Sequence, residues 1–384
     1  MRASACLVFS LLVAACATTS VTKAPEGLFN DRLFLAPSER ISADDVFAPS
    51  DAMKQYVATE IAGQARIKGR RQGLFDALYA KDELRLDYDS ARTLNAAQAF
   101  ATRSGNCLSL VIMTAAFAKQ LALPIRYQSA YLDETWSRDG DIYFFSGHVN
   151  ISLGKRPLDP EFELYNGTDW STIDFRSPYE IRGLRTRDVA EQTIVAMYMN
   201  NRAAEALARG QLDDGYAWAR AAITQDPEFL SSYNTLGAIY QRHGNLDEAE
   251  RVLAFALQRD PANTHVMSNL ATVLSDLGRV AEARVLTDKL ERMDPNPPFA
   301  FFARGLQAMR ERNFAAARDL FAKEVERAPY YHEFHFWLAA AYVGLGQGEE
   351  ARKELEQAIK TSTSPNDRDR YAAALERVKT HPVQ

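Results

Sequence analysis

Cysteine is scarce in this 384-residue chain: it occurs three times, at Cys6, Cys16 and Cys107. Charge of one sign is not in excess either, with 45 Lys and Arg against 50 Asp and Glu and a net charge of −5. No dense Lys/Arg block is interleaved with aromatics, so nucleic acid is excluded as a partner class. Neither a Walker nor a Rossmann glycine motif is present, which removes the usual phosphate cradles. The six histidines do not pair with thiols or carboxylates at ligand spacing, so no metal and no cofactor are expected. His332 and His335 stand three apart in "YYHEFHFWL", where they read as bulk along a helix. What is present is 47% apolar and 25% charged residues, an ordinary globular balance at a length that allows two or three domains.

The longest apolar run near the N-terminus, "LVFSLLVAA" from Leu7 to Ala15, is far too short to span a bilayer. It follows the basic Arg2 and ends in Val13-Ala14-Ala15-Cys16, which resembles a bacterial lipobox. That resemblance implies a lipoprotein signal peptide over 1–15, lipidation of Cys16, and a membrane anchor in the bacterial cell envelope. Residues 16–26, small and polar, read as a tether. Ala17 is not the aspartate associated with inner-membrane retention, so the outer membrane, facing the periplasm, is the expected location. Removal of Cys6 and lipidation of Cys16 leave Cys107 as the only thiol, with no disulfide possible. In an oxidising compartment such a thiol is a liability unless it is buried or needed for chemistry.

The C-terminal half carries an internal period. Pro227, Pro261, Pro295 and Pro329 fall 34 residues apart, the tetratricopeptide signature. In the best unit Tyr233, Leu236-Gly237, Tyr240, Ala249, Leu253, Ala256 and Pro261 take the expected places. Small residues let two antiparallel helices approach, large ones fill the space between them, and proline stops the second helix. About five units are expected over 191–384, closed by the polar helix "NDRDRYAAALERVK". Such an all-α solenoid offers a groove for a protein or peptide partner.

Residues 27–190 read as a separate mixed region. "SDAMKQYVATEIAGQA", "RRQGLFDALYA" and "TLNAAQAFATR" have helical spacing, and 108–122 form a nearly all-apolar helix for a core. The aromatic and β-branched runs "PIRYQSAYL", "DIYFFSGHVNISL" and "WSTIDF" read as strands. Helices followed by strands predict an α+β domain with a central helix packed on an antiparallel sheet.

"RSGNCLSL" places Cys107 at the start of that central helix, just after a glycine turn. There the helix dipole and unpaired N–H groups favour a thiolate, and the Cys107 N–H is available to an oxyanion. In "GHVNISL", period two puts His148, Asn150 and Ser152 on one strand face, opposite Val149, Ile151 and Leu153. Asp174 follows an apolar strand and could hold the imidazole by a hydrogen bond, with Asp159 in a proline-flanked loop as the alternative. Gln128 and Asn106 are candidate oxyanion donors, and Asn150 a candidate pocket residue.

Gly105-Asn106-Cys107, Gly147-His148-Val149 and Ile173-Asp174-Phe175 together resemble the transglutaminase-like, papain-related fold over roughly residues 90–180. With the lipobox and the repeats, the chain is similar to bacterial transglutaminase-like lipoproteins that carry tetratricopeptide repeats. The resemblance implies Cys107 as nucleophile, His148 as general base and then acid, and Asp174 as its orienter, acting on amides by acyl transfer. Hydrolysis and crosslinking both stay open, as does a non-enzymatic scaffold with an idle site.

Overall fold

The computed structural model describes residues 26–79, 84, 86–89, 92–139, 142–155, 170–175, 185–362 and 365–380. The expected signal peptide (1–15), all of the expected tether (16–26) except Glu26, with Cys16 included, and Asp159 lie outside them.

The N-terminal half begins with helix α1 (Asp51–Tyr56), a π turn, and helix α2 (Ala62–Lys68), then α3 (Arg70–Tyr79). Ser50 caps α1 by accepting the Met53 N–H. Helix α4 (Ala96–Thr102) opens on a capping box formed by Asn95 and Gln98. Two-residue strands β1 (Asp87–Tyr88) and β2 (Ser104–Gly105) pair in parallel just before the central helix α5 (Cys107–Gln120). Every residue of α5 from Cys107 to Ala118 is buried, as its composition requires. Each large apolar side chain so buried contributes about 1.5–3 kcal/mol.

Strands β3 (Ile125–Asp139), β4 (Ile142–Gly154), β5 (Trp170–Ile173) and β6 (Arg185–Val189) form one antiparallel sheet in the order β5-β4-β3-β6. The fourth strand, "RTRDV", is one that the sequence does not announce, because it has almost no apolar pattern. It forms by pairing Tyr127–Val189 through Tyr131–Arg185 at the open edge of β3. Val149, Ile151, Leu153 and Ile173 join the hydrophobic cluster that contains α5. The opposite face of β4 is buried as well: His148, Asn150 and Ser152 are 2%, 6% and 3% exposed.

The C-terminal half is a helical solenoid of five antiparallel pairs among the described residues. They are α6 (Glu191–Ala208) with α7 (Leu212–Gln225), α8 (Ser231–His243) with α9 (Leu246–Arg259), and α10 (Thr264–Asp276) with α11 (Val280–Met293). Then come α12 (Ala300–Arg310) with α13 (Phe314–Arg327), α14 (His332–Gly344) with α15 (Gly348–Thr361), and the closing helix α16 (Pro365–Thr380). Close approach explains Gly237: a Cβ there would lie 2.5 Å from the Leu253 side chain. The 34-residue proline period therefore corresponds to one helix pair per repeat.

The boundaries of the hydrophobic clusters do not follow a division at residue 190. One cluster runs without a break from Leu28 through α5 and the sheet to Ala283 in α11. A second begins at Phe299, after the proline-rich "DPNPP". Residues 27–39, which have no periodic pattern, lie across the first two helix pairs. Asn30 N–H donates to Tyr240 Oη (2.9 Å), the Tyr216 hydroxyl donates to Asp31 (2.7 Å), and Phe34 stacks on Tyr216 with centroids 4.0 Å apart. Ser38 donates twice to Asp214, and Glu39 accepts from Arg202 and the Trp218 indole.

Candidate active site

Local sequence chemistry fixes where Cys107 sits. Arg103 ends α4 in the left-handed region (φ 53°), which turns the chain into β2. Gly105 then passes so close to the first turn of α5 that a Cβ there would lie 2.6 Å from Ser109 Cβ. Asn106 caps α5, its Oδ1 accepting the Ser109 N–H and the Ser109 hydroxyl, both at 2.9 Å. Cys107 is thus the first helical residue, in the turn whose N–H groups have no intrahelical acceptor. It is unbridged and buried, at 7% exposure.

The sheet supplies the other members. Ile151 pairs with Ile173, so Asp174, one residue beyond the end of β5, reaches the face that carries Asn150 and His148. His148 Nε2 lies 2.7 Å from Asp174 Oδ2, and both side chains are almost wholly buried. Asn150 Nδ2 donates to the same oxygen at 3.4 Å. With Nε2 occupied, Nδ1 is the nitrogen left for Cys107. Nδ1 is buried with no hydrogen-bond partner, and Cys107 lies near enough to the ring to act on its charge.

Burial alone would lower the pKa of His148. The hydrogen bonds to Asp174 and Cys107, and then the charges of both, outweigh it and raise the pKa to about 9. At neutral pH the ring is therefore an imidazolium. A buried thiol beside an imidazole held by a carboxylate is an arrangement in which the sulfur can attack an electrophilic carbon and the ring can move the proton.

The remaining candidates have other duties. Asn106 has both ends of its carboxamide engaged, since Nδ2 donates to Thr93 Oγ1 (2.9 Å) while Oδ1 caps the helix. It holds α5 rather than offering its side chain to an oxyanion. Gln128, opposite Asn150 in the β3–β4 register, accepts from Ser152 (2.9 Å) and donates to Asp188 (3.3 Å). Ser152 and Thr172 share a 2.7 Å hydrogen bond, so a polar stripe crosses the sheet from Asp174 to Asp188. Asn150 lines the site, in keeping with its position two residues from His148. Its Oδ1 is buried with no hydrogen-bond partner. Thr93 is a site residue that sequence reasoning misses, because nothing in its neighbourhood distinguishes it from an ordinary loop threonine.

No group of three metal-ligating residues exists among the described residues. His332 and His335 do more than add bulk to a helix. His332 meets the Tyr371 hydroxyl (2.7 Å), and His335 joins Glu354 (2.6 Å) to the Pro329 carbonyl (2.9 Å).

The tetratricopeptide repeat family model matches residues 241–300 and 308–378. The C-terminal region consists of such repeats. A TPR repeat-containing protein of Pseudomonas aeruginosa is 26% identical over 142 residues, which is 36% of this chain and 24% of that protein. The chain thus spans about a quarter of this relative's length. Similar solved structures include a thermophilic TPR protein of Thermus thermophilus (18% identity, 47% of this chain and 99% of that one, TM-score 0.32). Yeast Tom70 is another (17% identity, 48% of this chain and 40% of that one, TM-score 0.36).

Proposed function

We propose that the protein is a cysteine-dependent acyl transferase or amidohydrolase of transglutaminase-like type, with its substrate or assembly partner held by the repeats. The observation that carries this reading is the 2.7 Å His148–Asp174 pair set beside Cys107 at the start of α5. The Cys107 thiolate attacks an amide carbonyl carbon and forms a C–S bond. Collapse of the oxyanion breaks the C–N bond, and His148 Nδ1–H protonates the departing amine. Neutral His148 then takes a proton from water or a second amine, which attacks the thioester and expels the Cys107 thiolate, restoring the thiolate–imidazolium pair. Asp174 keeps the ring oriented and balances its charge. Water as acceptor makes the protein a hydrolase, and a lysine-type amine makes it a crosslinker. Cys16 anchors the protein to the envelope, on the outer membrane facing the periplasm.

The test is an amide-derived electrophile that captures Cys107 as a stable adduct, mapped by peptide mass spectrometry. The adduct should form in the wild type and be lost in Cys107→Ala and His148→Ala. Labelling that persists in His148→Ala overturns the reading.

The repeats themselves favour a second reading, a protein-binding scaffold in which the site is idle. It predicts that Cys107→Ala leaves the cellular phenotype intact, whereas substitutions in the repeat groove abolish it.

A further inference from the structure

The cap that places Cys107 is held in part from the first helix of the repeats. The Asn106 carboxamide has a donor end and an acceptor end, and the cap works only if the acceptor faces the Ser109 N–H. Thr93 Oγ1, 2.9 Å from Asn106 Nδ2, fixes that orientation by accepting from the donor end. A hydroxyl can present its lone pairs to Asn106 only if its single proton points elsewhere. Glu205 holds Thr93 in place, its carboxylate accepting the Thr93 N–H at 2.7 Å and lying beside the Thr93 hydroxyl. Thr93 is 2% exposed, so water does not substitute for either partner. The neighbouring Leu94 N–H donates to Ser109 Oγ at 2.8 Å, which closes the loop onto the same helical turn.

Glu205 stands on α6, the first helix of the solenoid. Arg202 holds it at 3.0 Å, and the same guanidinium reaches Glu39 at 2.9 Å. Arg209 adds a second cation at 3.9 Å. A continuous polar relay thus runs from the first repeat through Thr93 and Asn106 to the turn that carries the thiol.

We infer that Glu205 is a positioning residue for Cys107, acting through Thr93 and Asn106, so that the first repeat helix forms part of the candidate site's framework. This rests on the reading of Cys107 as a nucleophile. Without the relay, the Asn106 carboxamide is free to turn its donor end toward the helix, and the first turn of α5 loosens around the thiol. A glutamine at 205 keeps an acceptor for Thr93, whereas alanine removes it.

The experiment measures the pH profile of Cys107 alkylation by iodoacetamide in the full chain, read site-specifically by mass spectrometry, alongside thermal melting. Glu205→Ala and Thr93→Val should each move the acid limb of the profile up by about one pH unit, roughly a tenfold loss of rate below it. Glu205→Gln should recover most of that loss. Thr93→Val, which nearly preserves volume, carries the test where Glu205→Ala fails to fold. Lowered melting temperatures with wild-type profiles would make Glu205 purely structural and overturn the inference. A wild type whose Cys107 alkylates like a free thiol overturns the functional reading, and this inference with it. A reactive wild type with unmoved variants overturns this inference alone.

Discussion

His148 Nε2 lies 2.7 Å from Asp174 Oδ2, although the two residues are 26 apart in sequence, His148 on β4 and Asp174 just past the end of the neighbouring β5. The β4–β5 register makes this pairing, and it decides which ring nitrogen is left for Cys107.

Removing Asp174 should therefore act first on the ring. In Asp174→Asn, with the carboxylate gone, the His148 pKa should fall from about 9 toward the ordinary histidine value of ~6.5. An NMR titration of the imidazole reads this directly. Asp159→Asn should leave the titration where it was, and a shift in that variant instead would reassign the third residue.

The same pKa makes a stability prediction with a definite sign. A histidine raised to about 9 in the folded state contributes its full stabilisation below its unfolded value of ~6.5. That contribution is lost as pH rises through about 9. The difference in melting temperature between the wild type and His148→Gln should accordingly be largest near pH 6 and shrink steadily toward pH 10. A difference that grows over this range would contradict the protonation state assigned here.

In the repeats, Gly237→Val should destabilise by about 1–3 kcal/mol, because the new side chain has no room beside Leu253. Urea denaturation of the full chain, followed by circular dichroism, measures the loss. A Leu253→Ala background should recover part of it by opening that space.

His335 offers a separate test in the fourth and fifth pairs. Both of its ring nitrogens face acceptors, the Glu354 carboxylate and the Pro329 carbonyl, so both must carry protons. Burial acts to lower its pKa, but those two hydrogen bonds outweigh it and raise it. His335→Leu strands a buried carbonyl and should cost about 1–3 kcal/mol by the same measurement.

The repeats are legible in sequence because helix pairing repeats its small and large residues at a fixed interval, down to Gly237 against Leu253. Helix α5 is legible because an all-apolar run has nowhere to go but a core. His148 and Asp174 are legible as types, and period two places Asn150 beside His148. Strand β6 is not, since "RTRDV" owes its conformation to the open edge of β3 rather than to its own pattern. Nor is the 27–39 segment, whose contacts with Tyr216, Tyr240 and Asp214 come from residues about 180 or more positions away. Thr93 escapes for the same reason: its partners Glu205 and Asn106 meet it only in the folded chain.

A Cys107 thiolate held by His148 shows itself in the rate of alkylation against pH. Modification of the wild type should be rapid and nearly pH-independent from about pH 6 upward, well below the ~8.5 of a free thiol, and His148→Ala should lose that plateau. A wild-type profile that rises only near pH 8.5 and is unchanged in His148→Ala would contradict it.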